Sequence, residues 1–117
     1  MAVTRLMWII SITTENDMTR KHSSILPMHP GELLREDVLP ALGITQTVAA
    51  RHLGISRQSL HEILSEKRAV TPEMAVRLGK LCGNGPALWA GLQSKYDVWK
   101  AEETLDVRDI PTLEARA

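Results

Sequence analysis

The stretch TQTVAARHLGISRQSLHEIL, residues 45–64, sets two short apolar-striped segments on either side of a single glycine, Gly54. Before the glycine, Ala49, Ala50 and Leu53 share one helical face; after it, Leu60, Ile63 and Leu64 recur at i, i+3 and i+4, the period of a helix and not of a strand. Thr45 and Ser56 stand where N-caps belong, and Gly54 supplies the left-handed residue that ends a helix. Ala50 lies four residues before the glycine and allows a close crossing. Ile55, Leu60 and Ile63 follow as three apolar plugs that fix the crossing angle. Gln58, His61, Glu62 and Ser65 are left on the opposite, polar face.

Working outward, the punctuation stays helical. Pro30 suits a first helical position, Glu32 falls in the first turn, and Leu33, Leu34 and Val38 form a stripe that Pro40 is expected to stop. Thr71-Pro72 restarts a helix whose buried stripe is Met74, Ala75, Leu78, Leu81 and Cys82, closed by Gly83. Asn84-Gly85-Pro86 opens a fifth helix carrying Leu88, Trp89, Leu92, Tyr96 and Trp99. No strand pattern, repeat or low-complexity stretch interrupts this series. The expected fold is all-α, with two short helices joined at a steep angle as a helix-turn-helix, the second helix being offered to a DNA major groove.

Composition bounds the function. At 117 residues and 44% hydrophobic, the chain suits one globular domain. Basic and acidic side chains balance at 14 each, so this is not the uniformly basic body of a sequence-blind nucleic-acid binder. The charge is nevertheless polarised. Residues 18–82 carry nine basic and six acidic side chains, +3, whereas residues 83–117 carry four basic and six acidic, −2. Cys82 is the only cysteine, which offers neither a disulfide framework nor a metal pair and fits a cytoplasmic address. The apolar run at residues 6–12 falls far short of the roughly 20 residues that span a bilayer and has no cleavage site after it, so neither anchor nor signal peptide is expected. Residues 1–28 read as a flexible lead-in, the first 17 being an extra element or a stretch translated from a start upstream of Met18. The domain proper is expected at 29–104, with a tail at 105–117. His22, His29, His52 and His61 have no metal-ligand spacing, and His29 reads as a turn residue. No phosphate loop or nucleophile triad appears, so no enzyme activity, metal or cofactor is expected.

The polar face has a chemistry of its own. Arg57 and Gln58 occupy the first turn after the Ser56 cap, the end by which a recognition helix enters the groove. Arg can be bidentate to guanine O6 and N7, and Gln to adenine N6 and N7. His61 and Glu62 lie one turn on; Glu62 either accepts from a cytosine amino group or holds Arg57 or His61 in place. Thr45, Gln46, Ser56 and Ser59, near the starts of the two helices, are candidate phosphate contacts. Lys67 and Arg68, in the following turn, are phosphate candidates or simply solvated charges. A single short helix reads only a few base pairs, so specificity calls for a homodimer on a near-palindrome, with the helix from Pro86 to about Thr104 and the tail as its seam.

Gln46, Ala50, Gly54, Ile55, Ser56, Leu60 and Ile63 resemble the helix-turn-helix of the Cro and phage-repressor (XRE) class, which implies a five-helix, lambda-repressor-like DNA-binding domain. HPGELLRED (residues 29–37), SEKRAVTPEMAVRL (65–78) and GPALWAGLQSKYDVW (85–99) resemble, more narrowly, the HigA-like (VapI-type) antitoxins of bacterial toxin–antitoxin modules. The resemblance covers about His29 to Glu103. It implies a double-stranded operator as one partner, bound by a dimer that represses its own operon, and a RelE/HigB-like mRNA endonuclease toxin as the other. Two readings compete with it: a stand-alone repressor, and a protein inhibitor that has lost DNA binding. Arg57 and Gln58 at the groove-facing start argue against the last.

Overall fold

The computed structural model describes residues 27–115. The readings of the first 26 residues, including the apolar run, the start at Met18 and His22, lie outside the described part. Helix α1 runs over residues 30–42 in three pieces: an α-helical turn Pro30–Leu33, a π-helical stretch Leu34–Val38, and a second α-helical turn Leu39–Leu42. It is followed by α2 (Gln46–Leu53), α3 (Arg57–Leu64), α4 (Pro72–Cys82) and α5 (Pro86–Thr104). No strand occurs among the described residues.

Pro40 does not stop α1, contrary to the sequence expectation. Proline has no N–H to donate, and in a regular α-helix its ring presses on the carbonyl four residues earlier. The wider π turn just upstream, in which the Leu39 N–H donates to the Leu34 carbonyl, carries the helix past this obstacle. The helix ends instead at Gly43.

The other boundaries follow their local signals. Thr45 Oγ1 accepts from the Val48 N–H at 3.2 Å, Ser56 Oγ from the Ser59 N–H at 3.0 Å, and Thr71 Oγ1 from the Met74 N–H at 3.1 Å. Each satisfies one of the donors that a helix start leaves unpaired. Gly54 has φ 73°, and the Ile55 N–H turns back to the Ala50 carbonyl at 3.1 Å. That left-handed residue lets α3 leave α2 after only two intervening positions.

One core joins all five helices. It includes Leu34, Val38, Ala49, Leu53, Leu60, Ile63, Met74, Leu78 and Trp89. Trp89 is fully buried, so α5 is part of the domain and not an appendage. Gln93 reinforces this from inside: its Oε1 accepts from the Val70 N–H at 2.7 Å, and its Nε2 donates to Asp97 at 2.8 Å. On α4 the expected stripe is buried only through Leu78; Leu81 and Cys82 sit half-buried at its edge. Burial still pushes the Cys82 thiol up to about 11, which keeps it protonated and unreactive at neutral pH. Gly79 takes the place of the missing stripe residue because the chain entering α5 lies directly on it.

His29 is more than a turn residue. It is buried, it caps α1 by accepting the Gly31 N–H on Nδ1 at 2.9 Å, and its ring meets Tyr96 of α5 edge-on at 5.0 Å. Burial lowers its pKa below the ordinary 6.5, against the opposing pull of Glu66 and Asp97. A histidine held neutral by the fold contributes stability that is fully present above its unfolded pKa and is lost as pH falls through the folded one. The urea midpoint is therefore expected to fall from pH 7.5 to pH 5.5 by more in the parent chain than in His29→Asn, which keeps a cap without a titrating ring. Equal falls in the two proteins would remove His29 from the pH response.

Candidate nucleic-acid interface

Helix α3 sorts its side chains by period. Leu60, Ile63 and Leu64 are buried, while Arg57, Gln58 and His61 are exposed and Glu62 is half-exposed. The start of the helix is built by the two serines: Ser56 Oγ accepts the Ser59 N–H and donates to Ser59 Oγ at 2.9 Å. Arg57 has no ion-pair or hydrogen-bond partner among the described residues, so its guanidinium is available to an external acceptor. Gln46 opens α2 half-exposed, beside the exposed cap Thr45.

The candidates are not equally free. Arg68 is exposed but drawn back onto α3, its Nε and Nη2 donating to Glu62 Oε1 at 2.8 and 2.5 Å. That bond, followed by one from Gln58, holds the Glu62 carboxyl below the usual carboxylate range. Lys67, next to it, carries an exposed ammonium with no carboxylate partner among the described residues. Glu66, in the left-handed region at φ 65°, makes the bend that turns Lys67 and Arg68 back over the helix end.

Two residues that the sequence did not single out set the angle of this unit. Arg77 of α4 donates through Nη1 to the Leu53 carbonyl at the end of α2, at 2.6 Å, and through Nη2 to Glu73 at 3.0 Å. Arg35 of α1 donates in the same way to the Leu64 carbonyl at the end of α3, at 2.6 Å, and also pairs with Glu66 at 3.3 Å. A helix end leaves its last carbonyls unpaired and carries partial negative charge, so an arginine from a neighbouring helix satisfies both needs. The two helices are thus clamped from α1 and α4. Glu73 and Arg77, at i and i+4, carried the one visible signal.

The arrangement presents an exposed, donor-rich helix face, backed by apolar side chains and flanked by a free lysine. No helix among the described residues is long and apolar enough to cross a membrane. A family described as helix-turn-helix matches residues 34–89. Virulence-associated protein I of Dichelobacter nodosus is 36% identical over 76 residues, spanning 65% of this chain and 70% of that protein. Among solved structures, the chain is similar to the antitoxin HigA of Pseudomonas aeruginosa, solved with the higBA promoter, at 35% identity and a TM-score of 0.63, covering 66% of this chain and 84% of that one. It is also similar to an addiction module antidote protein of a HigA family from Coxiella burnetii, at 30% identity and a TM-score of 0.65, covering 77% of this chain and all of that one.

Proposed function

Since the chain belongs to the helix-turn-helix family, among its HigA-like members, we propose that it is a sequence-specific DNA-binding antitoxin of a type II toxin–antitoxin module. It binds the operator of its own operon as a homodimer, represses transcription, and neutralises a RelE-like mRNA endonuclease by direct contact. The family is one of DNA-binding regulators and antitoxins, not of enzymes. The observation that carries the reading is the exposed start of α3, where Arg57 and Gln58 project beside a serine cap while the opposite face is locked in the core. The HigA relative solved with its promoter supports DNA as the partner.

In this reading Arg57 and Gln58 read base edges, His61 lies beside them, and Thr45, Gln46, Ser56 and Ser59 orient the helices on phosphates. Lys67 supplies sequence-independent attraction. Arg57→Ala is expected to cost about 1–3 kcal/mol on the operator and to flatten the preference at one base pair. Lys67→Ala is expected to weaken all duplexes alike and to lower the salt slope by about one. Titration of the operator and of a scrambled duplex at two salt concentrations checks both, and equal losses on the two duplexes for Arg57→Ala would remove it from base reading. Co-expression with the neighbouring endonuclease gene tests the antitoxin part. A locus with no such gene, or one whose product this chain does not neutralise, leaves a stand-alone repressor.

A further inference from the structure

Gln58 and Glu62 stand four residues apart on α3, one turn above the other on the exposed face. The Glu62 carboxylate is engaged from two sides: Oε1 accepts from Arg68 at 2.8 and 2.5 Å, and the group also accepts from Gln58. The main chain ties the same place together, since the Glu62 carbonyl accepts from the N–H of Lys67 at 2.8 Å and of Arg68 at 3.2 Å. The turn therefore delivers Arg68 to the carboxylate, and the carboxylate faces Gln58.

An ionised carboxylate has only acceptors, so the bond from Gln58 must be given by its Nε2. One of the two amide N–H groups is thereby spent, which leaves the amide oxygen and one N–H to meet a base. In the major groove adenine offers a donor at N6 and an acceptor at N7, which this pair matches. Guanine offers two acceptors, N7 and O6, which call for two donors. A free glutamine can turn its NH2 toward guanine; one tethered through Nε2 has lost that option.

We propose that Glu62 is a positioning residue that fixes the Gln58 amide and so selects adenine over guanine without itself touching DNA, with Arg68 as the counter-ion that lets a carboxylate lie near phosphates. The inference rests on the proposed reading of Gln58 as a base reader. It also moves Arg68 from phosphate contact to support of the recognition helix.

The experiment uses the full chain and its variants Glu62→Gln, Gln58→Ala and the double variant. The parent protein selects its site from a random duplex library, and each protein is then titrated on that site and on its single base-pair substitutions. The parent is expected to prefer adenine over guanine by about tenfold at one base pair per half-site. Glu62→Gln, whose amide can pair with Gln58 in either orientation, should reduce that preference several-fold at the base pair that Gln58→Ala also flattens. The double variant should lose nothing further, and the salt slope and thermal midpoint of Glu62→Gln should stay at parent values. An undiminished preference in Glu62→Gln overturns the proposal, as does a loss at a different base pair, which would make Glu62 a base contact itself. If the parent selects no site, or Gln58→Ala leaves every preference in place, the base-reader reading falls and takes this inference with it. Flattening by Gln58→Ala alone overturns only the role of Glu62.

Discussion

Gly31→Ala is expected to lower the thermal midpoint by more than about 10 °C, the largest stability effect of any single methyl added to this chain. A Cβ at residue 31 would stand 1.9 Å from the Ile63 carbonyl oxygen and 2.9 Å from its carbon. Both are backbone atoms of α3, so no side chain can rotate away; the first turn of α1 must lift off the recognition helix. Overpacking of this kind costs about 3 kcal/mol or more, a large part of the stability of a small domain. The lift would also pull Arg35 from the Leu64 carbonyl, so operator affinity should fall with stability. Gly91→Ala supplies the contrast, because Gly91 lies within α5 and a Cβ there meets nothing within 4 Å. That change should raise the midpoint by a few degrees through helix propensity and a less flexible unfolded chain. Thermal melts of the two variants beside the parent decide the matter: a destabilisation by Gly31→Ala no larger than about 1 kcal/mol would mean that α1 and α3 are not in backbone contact.

What was legible in the sequence is what depends on neighbours in the chain. Thr45, Ser56 and Thr71 cap the helices that follow them because a cap reaches only three residues. Gly54 turns because its own φ is free. The polar and apolar faces of α3 were likewise legible, since the helical period alone separates Gln58 and His61 from Leu60 and Ile63. Features set by distant partners were not. Pro40 looked like a stop because its local cost is visible, whereas the π turn that bypasses it is not written in any one residue. His29 looked like a turn residue because the ring that buries it, Tyr96, lies in the last helix. Arg35 and Arg77 carry no mark of the carbonyls they clamp on α3 and α2. Glu62 was expected to touch a base or to hold Arg57 or His61; it holds Arg68 and Gln58 instead, because the left-handed Glu66 folds the turn back over the helix. The structure also withdraws Trp89 as an anchor for a partner: an aromatic that is wholly buried has no surface to offer.

Neutralisation of the toxin and reading of the operator are expected to separate. Gln58→Ala should lose repression and keep rescue of growth from the co-expressed endonuclease, whereas a chain ending at Thr104 should fold and lose rescue. Ending the chain at Thr104, rather than before α5, is what makes the experiment readable. A cut at Gly83 would remove Trp89, Leu92 and Gln93 from the core and unfold the domain; a cut after Thr104 removes only exposed residues. Those residues nevertheless include Leu105, Val107, Ile110 and Leu113, exposed by 64, 52, 67 and 84%. The segment is shaped locally, with Asp106 accepting the Arg108 N–H and guanidinium and the Ile110 N–H bonded to the Val107 carbonyl at 3.0 Å. Residues 83–117 carry the −2 balance that suits a basic ribonuclease. Charge of that size steers the encounter and weakens with salt, so apolar anchors must supply most of the affinity. Burying two of the four side chains contributes about 3 kcal/mol, and their loss should weaken binding more than 100-fold. Affinity measured between the purified proteins, with the thermal midpoint of the shortened chain as its folding control, gives the quantitative form of the growth test. Loss of rescue by a folded, abundant Gln58→Ala protein would show that the two surfaces overlap. Full rescue by the shortened chain would move the toxin surface off the tail and onto the outer face of α5, where Val98 is exposed.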